Sequence, residues 1–186
     1  MGEASTARGG AFISDDGFYR YRLWRHLAPS FDSITGRTVV FVMLNPSTAD
    51  GFRDDATLRR CVSFAGQWGA ERLDVVNLFA YRATDPDDLR RAYEAGRDIV
   101  GDENYERLRA CVESVDRDRG DRIVCAWGSH PLAADVWSVA LDEEDGPFVA
   151  LRVNEDGSPG HPLYVPRTAK PVPWPPPDPE EPTADA

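Results

Sequence analysis

The run Thr38-Val39-Val40-Phe41-Val42-Met43-Leu44, closed at once by Asn45-Pro46, constrains this chain more than any other segment. It contains the longest apolar stretch in the sequence, the six residues from Val39 to Leu44. Such a stretch, rich in β-branched residues and without polar alternation, suits a strand buried on both faces, as in the middle of a parallel sheet. Six residues are far too few to cross a bilayer. Proline ends the strand because it has no amide to donate and holds the residue before it extended.

Around this run the chain alternates strand and helix patterns. Phe18 to Leu27 has the period-2 signature of a strand, with Tyr19, Tyr21 and Leu23 opposite Arg20, Arg22 and Trp24. Ala56 to Trp68 follows as a helix with Leu58, Cys61, Val62, Ala65 and Trp68 on one face, and Leu73 to Leu78 as a second buried strand. Asp85-Pro86 is an N-cap with proline at the first helical position, opening a helix through Ala95. Asp102 to Val115 reads as a helix, Arg122 to Trp127 as a strand, Leu132 to Leu141 as a helix and Phe148 to Val153 as a strand. This alternation predicts a three-layer αβα sandwich with a mostly parallel central sheet. In such sheets ligands bind beyond the carboxyl ends of the strands. The loops of interest are therefore 45–55, 77–85, 127–131 and 157–166.

A chain of 186 residues is expected to form a single α/β domain, placed at residues 12–170. Residues 1–11 read as a flexible N-terminus without the basic-then-apolar order of a secretory signal, so the chain is expected to be cytoplasmic. Residues 171–186 read as an extended, acidic tail, because they hold seven prolines and four carboxylates and no basic residue. Within it, Trp174 either packs back onto the body or serves as a recognition residue. The formal net charge of −11 excludes a strongly basic protein held on duplex DNA by phosphate neutralisation, although not a local basic groove. Basic residues number 21, and Lys170 is the only lysine. A GC-rich genome or a salt-adapted host accounts for that skew, or else arginines kept for bidentate recognition. Cys61, Cys111 and Cys125 lie in apolar stretches without CxxC spacing and read as reduced core residues.

The polar oddities gather in the four loops. Asn45, aimed by Pro46 from a strand end, either marks a plain strand exit or positions a water or polar ring edge, with Ser47 beside it as a cap or a ligand contact. Asp54 and Asp55 precede a helix and read as capping residues, with paired acid/base chemistry as the weaker alternative. Asn77 ends an apolar strand, where a buried amide must be hydrogen-bonded. It either ties a loop down or reads a ligand edge that offers donor and acceptor together, as a nucleobase does. Phe79 and Tyr81 offer stacking surfaces for such a base, or core packing instead. Gly128 permits close backbone approach, and His130 sits where a helix begins, as a cap or a surface residue. His161, held between Gly160 and Pro162, is preferred over His26 and His130 as an active histidine; His26 reads as a packing residue. There is no phosphate loop with a following lysine, no HExxH, no metal-spaced Cys/His set and no GxSxG elbow. Neither a metal nor a cofactor is expected.

Tyr19-Arg20-Tyr21, Leu44 to Asp50, Asp54 to Cys61, Trp68-Gly69, Val76 to Ala80, Arg82 to Pro86 and His161-Pro162-Leu163-Tyr164 together resemble the bacterial, archaeal and phage family catalogued as domain of unknown function 1643. The likeness spans roughly residues 12 to 174. The order of a strand ending in Asn-Pro, a second ending in Asn-Leu, a third followed by glycine, and a late His-Pro is similar to the uracil-DNA glycosylase superfamily. That resemblance implies a glycosylase-like fold, a water-positioning role for Asn45, a base-reading role for Asn77 and stabilisation of the departing base by His161. Two departures stand out: Met43 occupies a position where glycine is common, and Leu163-Tyr164 replaces small residues that approach DNA backbone.

The expected function is metal-independent hydrolysis of a nucleobase N-glycosidic bond, with Asn45 and His161 catalytic. Pro46, Ser47, Asn77, Phe79, Tyr81 and Gly128 would bind substrate. The partner would be a nucleotide or nucleic acid, single-stranded or with a flipped base in preference to duplex. The alternative is a non-catalytic module that binds nucleotides or single-stranded nucleic acid.

Overall fold

The computed structural model describes residues 2–6, 8–27, 35–134, 136–141, 146 and 148–176. Its centre is β4 (Thr38–Met43), in which Val39, Phe41 and Met43 face one apolar cluster and Val40 and Val42 face another. Every one of these five side chains is buried, as the uninterrupted run requires. Parallel strands flank it: β5 (Arg72–Asn77) on one side and β6 (Arg122–Cys125) on the other, with β7 (Phe148–Ala150) beyond β6.

The outer strands run the other way. β1 (Gly2–Thr6), β2 (Gly9–Ile13) and β3 (Arg20–His26) form an antiparallel flank on β5, and β8 (Val172–Trp174) closes the opposite edge against β7. The result is one eight-stranded mixed α/β sheet of order β1-β2-β3-β5-β4-β6-β7-β8. It is not the mostly parallel sheet expected from the strand–helix alternation, since four of its seven pairings are antiparallel. The antiparallel pairings lie at the flanks of the sheet. The short links from β1 to β2 and from β2 to β3 hold no crossover helix and make antiparallel pairs, whereas β3 on β5 and β8 on β7 are pairings across longer stretches of chain.

Strand pairing thus reaches into residues that the composition marks as loose. At Gly9 (φ 154°) the backbone crosses β3 so closely that a Cβ would sit 2.1 Å from the Trp24 carbonyl oxygen, so only glycine fits. At the other end Trp174 is buried. Its ring packs edge-on against Trp127 (4.9 Å) and Trp137 (4.8 Å), and its Nε1 donates to the Gly157 carbonyl at 2.9 Å. Of the two readings of Trp174, the structure has the packed one.

Helix α1 (Ala56–Gln67) lays Leu58, Cys61, Phe64 and Ala65 on one face of the sheet. Asp55 caps it, accepting from the Leu58 amide at 2.7 Å. Helices α2 (Pro86–Glu94), capped by Asp85, and α3 (Asn104–Glu113) supply Leu89, Leu108, Cys111 and Val112 to the other face. The segment read as one helix from Leu132 to Leu141 is two short ones, α4 (Pro131–Ala134) and α5 (Trp137–Ala140). Among the described residues, no helix is long and apolar enough to cross a membrane.

Candidate functional site

Because β4 and β5 are parallel neighbours, with Met43 paired to Asn77, both carry their exit loops to the same edge of the sheet. The N-terminus of α1, the loop after β6 and the turn at His161 complete a cleft of about 830 Å³ there. Asn45, Ser47, Asn77, Gly128 and His161 all line it, as does His130.

Asn45 is held by its own donor group. Its Nδ2 gives hydrogen bonds to the carbonyls of Pro46 (3.1 Å) and Ala83 (2.9 Å), which ties the first loop to the second. Both protons of the amide are thereby committed, so Oδ1, an acceptor only, is directed away from those carbonyls.

Asn77 is in the opposite condition. It is 0% exposed, and neither Nδ2 nor Oδ1 has a protein partner. It does not tie the loop down. Asn104 does that, its Nδ2 donating to the carbonyls of Asn77 (3.0 Å) and Leu78 (2.9 Å). A buried amide without partners costs about 1–3 kcal/mol, so Asn77 is a polar group waiting for a complement.

His161 is the N-cap of a 3-10 turn (Pro162–Tyr164), and its Nδ1 accepts from the Leu163 amide at 3.3 Å. That bond puts the proton of the neutral ring on Nε2. Burial draws the imidazole pKa down to about 4, with Asp55 pulling weakly the other way. The ring is therefore neutral at physiological pH and available as a hydrogen-bond donor. Arg60 of α1 fixes the turn by donating to the carbonyls of Pro162 (3.1 Å) and Val165. Gly128 (φ 78°) lies against the same turn: its amide donates to Pro159 at 2.9 Å, and a Cβ there would lie 3.6 Å from the His161 Cβ.

The depressed pKa has a consequence for stability. The unfolded chain takes up a proton on this histidine near pH 6.5, and the folded chain only near pH 4. Stability is thus lost as pH falls through that window. In denaturant titrations between pH 7 and pH 4, His161→Gln is expected to lose less stability than the unmodified protein. An identical pH dependence would show that the ring is not desolvated.

Other assignments need correction. Phe79 and Tyr81 do not line the cleft; they pack with the cluster on the opposite face, Tyr81 also meeting Tyr19 edge-on at 6.0 Å. The side-chain alternation of β5 ends at Asn77, after which Leu78 and Phe79 both turn to the α3 side as the chain leaves the ladder. Pro46 is buried behind the cleft wall, where its carbonyl accepts from Asn45 and from the Ala83 amide. His26 is exposed at the end of β3 and not packed, because the strand runs out of core there. His130 has the capping role, its Nδ1 accepting from the Leu132 amide at 3.3 Å.

Two charged residues join the site that the motifs did not single out for it. Arg20 of β3 lines the cleft, 4% exposed, with Nη1 donating to the Ala49 carbonyl at 2.8 Å. Asp55 lines it as well, next to the α1 cap it forms, whereas Asp54 pairs with Arg25 at 2.7 Å. Arg20 is visible in the sequence only as a charge in the strand motif Tyr19-Arg20-Tyr21; nothing local marks its register as buried. Cys61 also borders the cleft, but burial pushes its thiol pKa far up, which leaves it a poor nucleophile. Among the described residues, no group of three or more His, Cys, Asp or Glu is arranged to hold a metal ion.

No curated protein and no solved structure matches the chain significantly. Residues 20–163 match the family described as "Protein of unknown function (DUF1643)", and the chain belongs to that family.

Proposed function

We propose that this member of the DUF1643 family hydrolyses the N-glycosidic bond of a nucleobase-bearing substrate in the cleft. The observation that carries the reading is the buried, unpartnered amide of Asn77 on a wall shared with Asn45 and His161. A nucleobase edge offers a donor and an acceptor side by side, which is what that amide lacks.

The three side chains divide the reaction between them. Oδ1 of Asn45 accepts a hydrogen bond from the attacking water and aims its oxygen at the anomeric carbon. The bond from that carbon to the base nitrogen breaks, and its electron pair leaves with the base. Nε2–H of His161 donates to the base as negative charge builds on it, and the neutral ring keeps its proton. As the new C–O bond forms, the water keeps one proton as the product hydroxyl and releases the other to solvent, and the departing base anion takes a proton from solvent. No group here acts as a nucleophile toward carbon, so no covalent intermediate is needed.

The order of the Asn-Pro, Asn-Leu, Gly and His-Pro motifs, similar to that of the uracil-DNA glycosylase superfamily, supports the same reading. So do the parallel central strands with helices on both faces, which we take as a three-layer variant of that fold with antiparallel additions.

Chromatographic assay of free base from a panel of nucleosides, nucleotides and oligonucleotides tests the proposal. Asn45→Ala is expected to lower release about 100-fold, because a misdirected water loses the benefit of orientation. Absence of release from the whole panel would sink the hydrolase. Thermal stabilisation by the same compounds would then leave a binding module in its place.

A further inference from the structure

The cleft wall contains a buried cation that makes no ion pair with a described residue. The guanidinium of Arg20 is inside the protein, its Nη1 committed to the Ala49 carbonyl and its Nε without a protein partner. Among the described residues, no carboxylate lies within ion-pair distance of it. Burial draws its pKa down to about 10, against the pull of Asp55, so it stays charged at neutral pH. An unpaired charge out of water is costly, and an anion entering the cleft would offset that cost.

We infer that Arg20 is the anion-recognition residue of the cleft and that the substrate is a mononucleotide, its terminal phosphate set against this guanidinium. The inference rests on the nucleobase reading of Asn77 given above. A planar guanidinium fork matches the oxygens of a carboxylate or a phosphate, and on a ligand whose uncharged base edge meets Asn77 the anion is the phosphate. Two further observations favour a terminal phosphate on a small ligand. A cleft of about 830 Å³ is of the size that encloses a small ligand. Arg20 is 4% exposed, so the group that reaches it must be the end of a ligand and not a phosphodiester continuing in both directions. The net charge of −11 adds to this, because a strand with many phosphates meets more repulsion than one phosphate does.

Calorimetric titration of a nucleoside, its 5′-monophosphate and a short oligonucleotide of the same base tests the assignment, across the five common bases. The unmodified protein is expected to bind the monophosphate about 10- to 100-fold more tightly than the nucleoside. Arg20→Gln should erase that advantage and leave nucleoside affinity unchanged, and Arg20→Lys should retain part of it. Equal binding of nucleoside and monophosphate, or tighter binding of the oligonucleotide, would overturn the inference. So would an Arg20→Gln protein that loses nucleoside and nucleotide affinity together, since Arg20 would then only hold the loop at Ala49. If that variant does not fold, the three-ligand comparison on the unmodified protein decides alone. Base release separates the two claims. Equal release from nucleoside and monophosphate would remove the role of Arg20 and keep the hydrolase, whereas phosphate-dependent binding without release would do the reverse.

Discussion

His161→Ala is expected to slow release of free base by about 100- to 1,000-fold, the usual loss when one preorganised donor to a developing anion is removed. Affinity for the intact substrate should change little, because the charge that His161 meets is absent before the bond breaks. The state of the ring makes the prediction sharper. With a pKa of about 4 and Nδ1 engaged by the Leu163 amide, the donor is a neutral imidazole. The rate should therefore stay level from about pH 5.5 to pH 8, where an imidazolium acid would lose its proton. A rate that falls through pH 6.5 as pH rises would contradict the assigned protonation. Unaltered release from His161→Ala would remove the residue from the mechanism.

Asn77→Leu should act in opposite directions on stability and on function. The two side chains are similar in volume, and leucine has no polar atoms to strand. Replacing an amide that has no protein partner should therefore stabilise the ligand-free protein by about 1–3 kcal/mol. For a chain of this length that is a rise in melting temperature of roughly 2–4 °C per kcal/mol. The same variant should lose more than about 100-fold in affinity for a base-bearing ligand, since sites built to hydrogen-bond a substrate group discriminate strongly through it. Scanning calorimetry with and without nucleotide reads both effects. A destabilised variant would mean that the amide is satisfied in the folded protein, and unchanged ligand affinity would mean that it does not face the base.

The centre of the fold is legible in the sequence because burial on both faces writes itself into composition. Val39 to Leu44 could hardly be anything but an inner strand, and its run ends within one residue of β4. Asp85-Pro86 and Asp55 are equally plain, since a cap is a local chemical event spanning three or four residues. The site is legible to the extent that it depends on strand ends: Asn45 and Asn77 reach one cleft because parallel strands deliver their loops to one edge.

Elsewhere the outcome depends on partners distant in the chain. Whether Gly9–Ile13 pairs with β3 rests on a backbone contact with Trp24, which residues 1–11 alone do not announce. Phe79 and Tyr81 are flat rings at a promising position, but the ladder stops at Asn77 and the next side chains turn to the far side. Arg20 is the plainest case. An arginine in an alternating strand reads as solvent-facing, and only the fold shows that loop 45–55 covers it.

Arg20 and Arg25, five residues further along the same strand, reach that loop at separate points: Arg20 at the Ala49 carbonyl, and Arg25 at the Asp50 carbonyl (2.7 Å) and the Asp54 carboxylate. The loop that follows the central strand is thus sewn to a strand from another part of the sheet. An engineer who trimmed the molecule to its parallel middle would retain every motif asparagine and discard the stitching that holds residues 49 to 54 in place.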